Sequence, residues 1–204
     1  LSSSARPMWL QVQDLELNGV LNATGNLLTL STCVSSVGSY AIDVGGSGVG
    51  SGDLRISQSE LARMTAQNLT LQTLGSGAIN VYSVNASNWQ SLSTLVLLDA
   101  SGSQGTITFW QASTWRMLTA QAGNGISVQA SVTTIGGNLV LEGNVDQLSA
   151  VVDIVRATGA LNATREAAAT ARIRVNSRLS SSFRRSTKLT RPSTPPTRKP
   201  MRQP

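Results

Sequence analysis

The chain has 204 residues, of which 40% are hydrophobic and 13% are charged, and its formal net charge at pH 7 is +6. It has no His, and Cys33 is its one Cys, which excludes Ser-His-Asp and Cys-His catalysis, an intrachain disulfide and metal sites of paired cysteines. Residues 1–150 carry four cations and eight anions, whereas residues 151–204 carry twelve cations and two anions, so the basic charge belongs to the C-terminal part.

Short segments with alternating apolar residues follow one another from residue 12 to residue 146, with Gly, Ser and Asn between them. Alternation with a period of two is typical of a strand that is buried on one face. No apolar stripe of helical period interrupts these segments, so residues 12–146 are predicted to be all-β. The clearest pairs are Leu15/Leu17, Leu28/Leu30, Ile42/Val44, Leu69/Leu71 and Ile126/Val128.

An internal repeat organises this region. Residues 52–67 align with residues 105–121, with Ala112 as a one-residue insertion, and the aligned apolar positions stay apolar, as at Leu61 and Trp115. Repeating units with two or three strands each favour stacked turns of chain, because one turn cannot bury its inward row alone. The sequence therefore predicts a parallel β-helix, or β-solenoid. A β-sandwich or barrel is the alternative, because it also contains many short strands.

The alternation also predicts which side chains face inward, since every second residue of a strand points to the same side. The predicted core residues are Leu54, Ile56, Leu69, Leu71, Ile79, Val81, Ile107, Phe109, Ile126, Val128, Leu139 and Leu141. Trp115 joins them because it aligns with the apolar Leu61.

One stretch carries a family resemblance: Ile56-Ser-Gln-Ser-Glu-Leu-Ala-Arg-Met-Thr-Ala-Gln-Asn-Leu-Thr-Leu71, followed by Gly75-Ser-Gly-Ala-Ile-Asn-Val81. It resembles repeats of filamentous-haemagglutinin-like secreted adhesins, which read Ser-x-x-Glu-Leu-x-x-Ile-x-Ala-x-x-Leu-x-Ile-Gly and then Gly-x-Ile-x-Val. Gln72 stands where that pattern has Gly. The resemblance covers residues 50–145 and implies a right-handed parallel β-helix with a structural or adhesive role. It also implies an extracellular or cell-surface location, with surface glycans or host and matrix proteins as partners, and further rungs of the same longer chain.

Carbohydrate-active enzymes that share the β-helix need clustered carboxylates. Here the carboxylates stand singly along the sequence apart from Asp14 and Glu16, and Glu60 aligns with Thr114 in the second copy. We therefore expect no enzyme, no catalytic residue, no cofactor and no metal site. A carbohydrate-active β-helix enzyme is the first alternative, because stacking could gather carboxylates from separate turns of chain.

Trp110 is the candidate glycan contact. It alternates out of phase with Ile107 and Phe109, which predicts an outward position, and aromatic faces suit contact with sugar rings. The chain also has four Asn-x-Ser/Thr sequons, about as many as chance gives with this Ser and Thr content. These candidate N-glycosylation sites are Asn22, Asn68, Asn85 and Asn162.

From residue 147 the pattern changes. Apolar residues from Leu148 to Val155 and an Ala-rich stretch predict a short helix or cap over 147–172. Residues 173–204 are rich in Arg, Ser and Pro with little to bury, which predicts a basic, mostly disordered tail. Such a tail binds nucleic acid or anionic surfaces only non-specifically, and a basic-tailed binder of this kind is the second alternative function. A mistranslated or frame-shifted C-terminus would explain the same change of composition.

No membrane span is expected, since the longest strongly apolar run, 95–98, is far too short to cross a bilayer. The chain begins with Leu1 and not with Met, which we interpret as a sign of a fragment or a processed piece.

Overall fold

The structure, a computed structural model, describes residues 6–33, 40–46, 52–86 and 92–143, together with three short strands farther along the chain. The described part is mostly β-strand. Its first strands are β1 (Met8–Gln11), β2 (Leu21–Ser31), β3 (Ile42–Gly45), β4 (Leu54–Ile56), β5 (Met64–Gln72), β6 (Ile79–Tyr82) and β7 (Leu92–Ala100). They are followed by β8 (Ile107–Phe109), β9 (Ser113–Trp115), β10 (Met117–Ala122), β11 (Ile126–Val128), β12 (Val132–Thr134), β13 (Leu139–Glu142), β14 (Val155–Ala157), β15 (Leu161–Ala163) and β16 (Arg172–Arg174). A single turn of helix, α1 (Gln58–Leu61), lies between β4 and β5.

The strands form three sheets, and every strand pair among the described residues is parallel. The seven-stranded sheet has the order β1-β2-β5-β7-β10-β13-β16, the six-stranded sheet β14-β11-β8-β6-β3-β4, and the three-stranded sheet β15-β12-β9. Strands that follow each other in sequence mostly lie in different sheets: β10, β11 and β12 occupy all three in turn, and β13 returns to the first. For the described residues, the prediction of an all-β fold is confirmed, and the sheets are parallel.

The apolar side chains lie in register from strand to strand. One row of the seven-stranded sheet consists of Met8, Leu28, Leu69, Val96, Leu118 and Leu139. All six are buried, and they belong to one continuous core. The twelve core residues predicted from the alternation are each 2% exposed or less, and Trp115 is fully buried. These predictions are confirmed.

The two aligned repeat copies differ at one place. Residues 58–61 form α1, because the Ser57 side chain accepts a hydrogen bond from the Glu60 backbone and the Glu60 side chain accepts one from the Ser57 backbone. The second copy has Thr114 where the first has Glu60, and there the chain forms β9. Leu61 and Trp115 nevertheless occupy equivalent, fully buried positions.

The alternating pair Leu15/Leu17 does not form a strand, contrary to the pattern. The backbone N–H of Leu15 donates to Asp14 Oδ1 at 2.9 Å, and that of Leu17 donates to Glu60 Oε1 at 3.1 Å. Because these amides bond to carboxylates, they are not available to a strand ladder. Residues 12–17, here called the N-terminal segment, instead pack against the end of the core through their apolar side chains.

The sheets also extend beyond residues 12–146 on both sides. β1 begins at Met8 and pairs with β2, while β14, β15 and β16 pair with β11, β12 and β13. Residues 155–157 and 161–163 are therefore strands within the segment for which a short helix or cap is predicted. β-Branched residues such as Val155 favour strands over helices. The rest of 147–172, and the predicted tail 173–204 apart from the last residues of β16, lie outside the described residues. Among those that are described, no helix has the length and apolar content to cross a bilayer.

Candidate functional site

A groove of about 240 Å³ lies between the N-terminal segment and the first strands of the six-stranded sheet. Its charged lining residues are Asp14, Glu16, Asp43, Arg55 and Glu60. The fold thus brings together carboxylates that stand singly along the sequence. The N-terminal segment carries Asp14 and Glu16 across to residues that are distant in sequence, and no local pattern encodes that path.

Glu60 holds this region together. Its Oε2 accepts hydrogen bonds from the Ser57 backbone N–H and the Ser57 hydroxyl, both at 2.8 Å, and its Oε1 accepts the N–H of Leu17 at 3.1 Å. Arg63 Nη1 donates to the Leu17 carbonyl at 2.5 Å. One carboxylate therefore caps α1 and, with Arg63, anchors the N-terminal segment to it.

Asp43 is the buried carboxylate of the groove, with 5% of its surface exposed. Its Oδ2 accepts the N–H of Gly52 at 2.7 Å, and its Oδ1 accepts Asn80 Nδ2 at 2.9 Å. A Cβ at position 52 would lie 2.6 Å from Asp43 Cγ, so glycine is needed there. Burial raises the pKa of the nearby Tyr82 hydroxyl, and the negative charge of Asp43 raises it further.

The remaining two carboxylates also accept hydrogen bonds from the chain. Asp14 Oδ1 accepts from the adjacent Leu15 N–H, and Glu16 Oε1 accepts from Asn18 Nδ2 at 3.0 Å. Within the described ranges, no three or more His, Cys, Asp or Glu residues are arranged to hold a metal ion. Of the hydrogen bonds in this groove, the one from Leu17 to Glu60 joins the N-terminal segment to α1, whereas those of Asp14 and Glu16 stay within residues 14–18.

Trp110 directly follows β8 with 46% of its surface exposed, on the outside of the six-stranded sheet as its alternation indicates. Its indole Nε1 donates to Asn80 Oδ1 at 3.1 Å, and Asn80 in turn donates to Asp43. A chain of hydrogen bonds therefore runs from the exposed ring to a buried carboxylate. Sequence reasoning identified the ring but missed Asn80, whose contact depends on the strand register.

The strand register places polar and aromatic residues near Trp110. Asn80, Thr108 and Ser127 occupy one register row on successive strands, and all three are half-buried. Tyr82 and Trp110 each follow the in-register pair Val81 and Phe109, so they occupy neighbouring positions on adjacent strands. Because strands in a sheet lie about 4.8 Å apart, this register places the two aromatic residues near each other.

Two other tryptophans have different environments. Trp9 in β1 is 65% exposed, and its Nε1 donates to Ser31 Oγ at 2.8 Å, a surface position that the sequence reasoning did not single out. The buried Trp115 donates to Ser113 Oγ at 3.0 Å, which satisfies its indole N–H inside the core.

The sequons occupy varied positions. Asn22 is half-buried and accepts hydrogen bonds from the Thr24 backbone and hydroxyl. Asn68 is half-buried in register with exposed Leu27, whereas Asn85 is exposed beside Thr114. The last of the four, Asn162, lies in β15 opposite Thr133.

Compared with protein-family models, with curated proteins and with solved structures, the chain shows no match.

Proposed function

We propose that this chain is a structural and adhesive segment of a large secreted or cell-surface β-helix protein. In this proposal the three sheets are the three faces of a right-handed parallel β-helix, and the chain returns to the same face once per turn. The supporting observation is the register, which keeps apolar rows continuous from β1 to β13. The resemblance to filamentous-haemagglutinin-like repeats points the same way.

The outer surface of the seven-stranded sheet supports a role in binding other molecules. Outward side chains of the seven-stranded sheet form polar pairs between neighbouring strands: Gln72 Nε2 donates to Asp99 Oδ2 at 2.8 Å, and Gln121 Nε2 donates to Glu142 Oε2 at 2.9 Å. Such pairs keep a long face hydrated and ordered, so it can present side chains to glycans or to host and matrix proteins. Further turns of a longer chain would extend the same rows.

The stacked architecture can be measured directly. Thr29 and Val140 occupy the same outward row of the seven-stranded sheet, four strand steps apart through Thr70, Leu97 and Thr119. At about 4.8 Å per step, spin labels on Thr29→Cys/Val140→Cys in a Cys33→Ser background should give a narrow distance distribution whose backbone component is about 19 Å. A broad distribution centred well beyond 30 Å would contradict the stacking.

Adhesion is tested with the full chain, labelled and titrated onto cultured epithelial cells and onto immobilised fibronectin and collagen. Saturable binding to any of these surfaces is expected, and prior removal of cell-surface glycans would assign the cell-bound fraction to glycan or protein. If the chain binds none of these surfaces at micromolar concentration, the adhesive role is refuted.

The acidic groove is the one observation that favours the alternative of a carbohydrate-active enzyme, because it places carboxylates beside a guanidinium. That alternative predicts reducing ends or unsaturated products from a polysaccharide panel, abolished by Asp43→Asn in a chain that still folds. The hydrogen bonds to Asp43 and Glu60 are those expected of structural carboxylates, so we expect no turnover.

A further inference from the structure

We propose that Trp110, Tyr82 and the neighbouring polar row form a binding site for a neutral pyranose ring of a saccharide. This inference rests on the proposed adhesive function and specifies the chemistry of one of its contacts. The exposed indole face would stack on the C–H face of the sugar, while Thr108 and Ser127 would meet its hydroxyl groups and Asn80 would hold the indole in place.

The first argument is that the Trp110 ring is held in place before any ligand binds. Its Nε1 donates a hydrogen bond to Asn80, and Asn80 donates one to Asp43. The second carboxylate oxygen of Asp43 accepts a hydrogen bond from the Gly52 backbone N–H. A freely rotating aromatic side chain loses rotamer entropy when a ligand binds to it, and this loss weakens binding. Because the orientation of Trp110 is already fixed through Asn80 to a buried carboxylate, less entropy is lost on binding.

The second argument is that Trp110 stands among polar groups and not in an apolar patch. The other exposed large hydrophobic residues of the described part are Trp9, Val20 and Leu27, which belong to β1, to β2 or to the residue before it. A docking site for a protein would be expected to surround a central aromatic anchor with further apolar contacts. An aromatic face bordered by amide and hydroxyl groups instead matches a sugar, which has apolar faces and polar edges.

The third argument concerns charge. Asp43 lies in register between Arg55 on β4 and Asn80 on β6, so the charged part of the row is a carboxylate beside a guanidinium. Asp14, Glu16 and Glu60 line the same groove, so the charge beside the row is net negative, and the row itself continues past Asn80 through two hydroxyl side chains. Tyr82 contributes a hydroxyl that is a hydrogen-bond donor at neutral pH, because the ordinary tyrosine pKa of 10.0 already lies well above neutrality and here the pKa is raised further. The site therefore favours a neutral saccharide over an anionic one.

The test uses the full chain labelled with ¹⁵N and three defined probes, cellohexaose, mannohexaose and chitohexaose, with a heparin hexasaccharide as the anionic comparison. The indole N–H resonance of Trp110, assigned by its loss in Trp110→Phe, is followed during titration. At least one neutral probe should shift this resonance and saturate. Trp110→Ala should weaken that binding about tenfold or more, whereas Trp9→Ala, which removes the more exposed tryptophan, should leave it unchanged.

A second variant tests the hydrogen-bond chain. Asn80→Ala keeps the indole but removes its acceptor, so affinity should fall several-fold while Trp110→Phe, which keeps an aromatic face, retains part of it. The site is refuted if no neutral probe shifts Trp110, if Trp110→Ala binds as well as the original chain, or if only the heparin fragment binds there. Circular dichroism confirms that each variant is folded.

The two proposals can fail separately. If the chain adheres to cells and Trp110→Ala adheres equally while no neutral probe binds, adhesion stands and the saccharide site is wrong. If a neutral probe binds at Trp110 but the chain adheres to no surface, the site stands and the adhesive function is wrong.

Discussion

Replacement of Glu60 by Ala is the sharpest test of how the N-terminal segment is held. The substitution removes the capping interactions with Ser57, worth about 1 kcal/mol, and the bond from the Leu17 N–H to a charged acceptor, worth about 1.5 kcal/mol. Because Glu60 is only half-buried, solvent compensates part of both losses. We expect the free energy of unfolding to fall by about 2 kcal/mol.

Two measurements check this. Urea unfolding followed by circular dichroism gives the loss of stability, and hydrogen exchange read by mass spectrometry reports on residues 12–20. Amide hydrogen exchange should accelerate in these residues and in α1. The amides of β8 to β13 should stay protected, because strands distant from the substitution keep their own contacts. Thr114→Ala at the aligned position of the second copy is the matched control. If Glu60→Ala changes stability by less than about 0.5 kcal/mol and leaves exchange at 12–20 unaltered, the anchoring role is wrong.

Three further predictions follow from burial, ionisation and the C-terminal strands. Phe109→Ala should lower the free energy of unfolding by about 3–5 kcal/mol, because the fully buried ring lies in register between Val81 and Val128. The milder Ile107→Val should lower it by about 1 kcal/mol. Equal urea midpoints for the two variants would contradict this prediction. Tyr82 holds its proton more tightly when folded, so its stabilising contribution is complete below its ordinary pKa of 10.0 and disappears as the pH rises through the raised value. Ultraviolet titration should show Asp43→Asn lowering that pKa while part of the shift, due to burial, persists. A chain ending at residue 174 should keep the unfolding midpoint of the full chain. It should lose heparin binding at low salt, because the eight cations beyond residue 174 are removed. A chain ending at residue 150, which lacks β14 to β16, should unfold at a lower urea concentration than the full chain.

The strands and the core could be predicted because they depend on local alternation. Residues such as Ile79 and Val81 point inward for the same reason wherever the strand pairs, so the pattern alone identifies them. The alignment of Leu61 with Trp115 likewise placed a tryptophan in the core before any geometry was known.

The acidic groove and the Trp110 hydrogen bonds could not be predicted, because they depend on which turn of chain lies beside which. Asn80 reaches Trp110 only through a register that joins residues 30 apart in sequence. Leu17 meets Glu60 because the N-terminal segment leaves the strand pattern and bonds to a carboxylate 43 residues away. The alternation at Leu15 and Leu17 was even misleading, since amphipathic spacing also suits an irregular segment that covers the end of a core.

The order of strands in the three parallel sheets also determines how the chain would respond to a mechanical load. In the seven-stranded sheet each inner strand pairs with one earlier and one later strand of the chain. In the proposed β-helix each of these steps is one turn of chain, so a pull on either end would detach one turn before it loads the next. The resisting force is then set by the hydrogen bonds of a single turn, however many turns are stacked. Each detached turn, such as the 21 residues that separate Leu118 from Leu139 in one row, releases roughly 7 nm of slack. A tether built in this way would lengthen in steps under tension and dissipate energy at each one while the turns beyond stay folded.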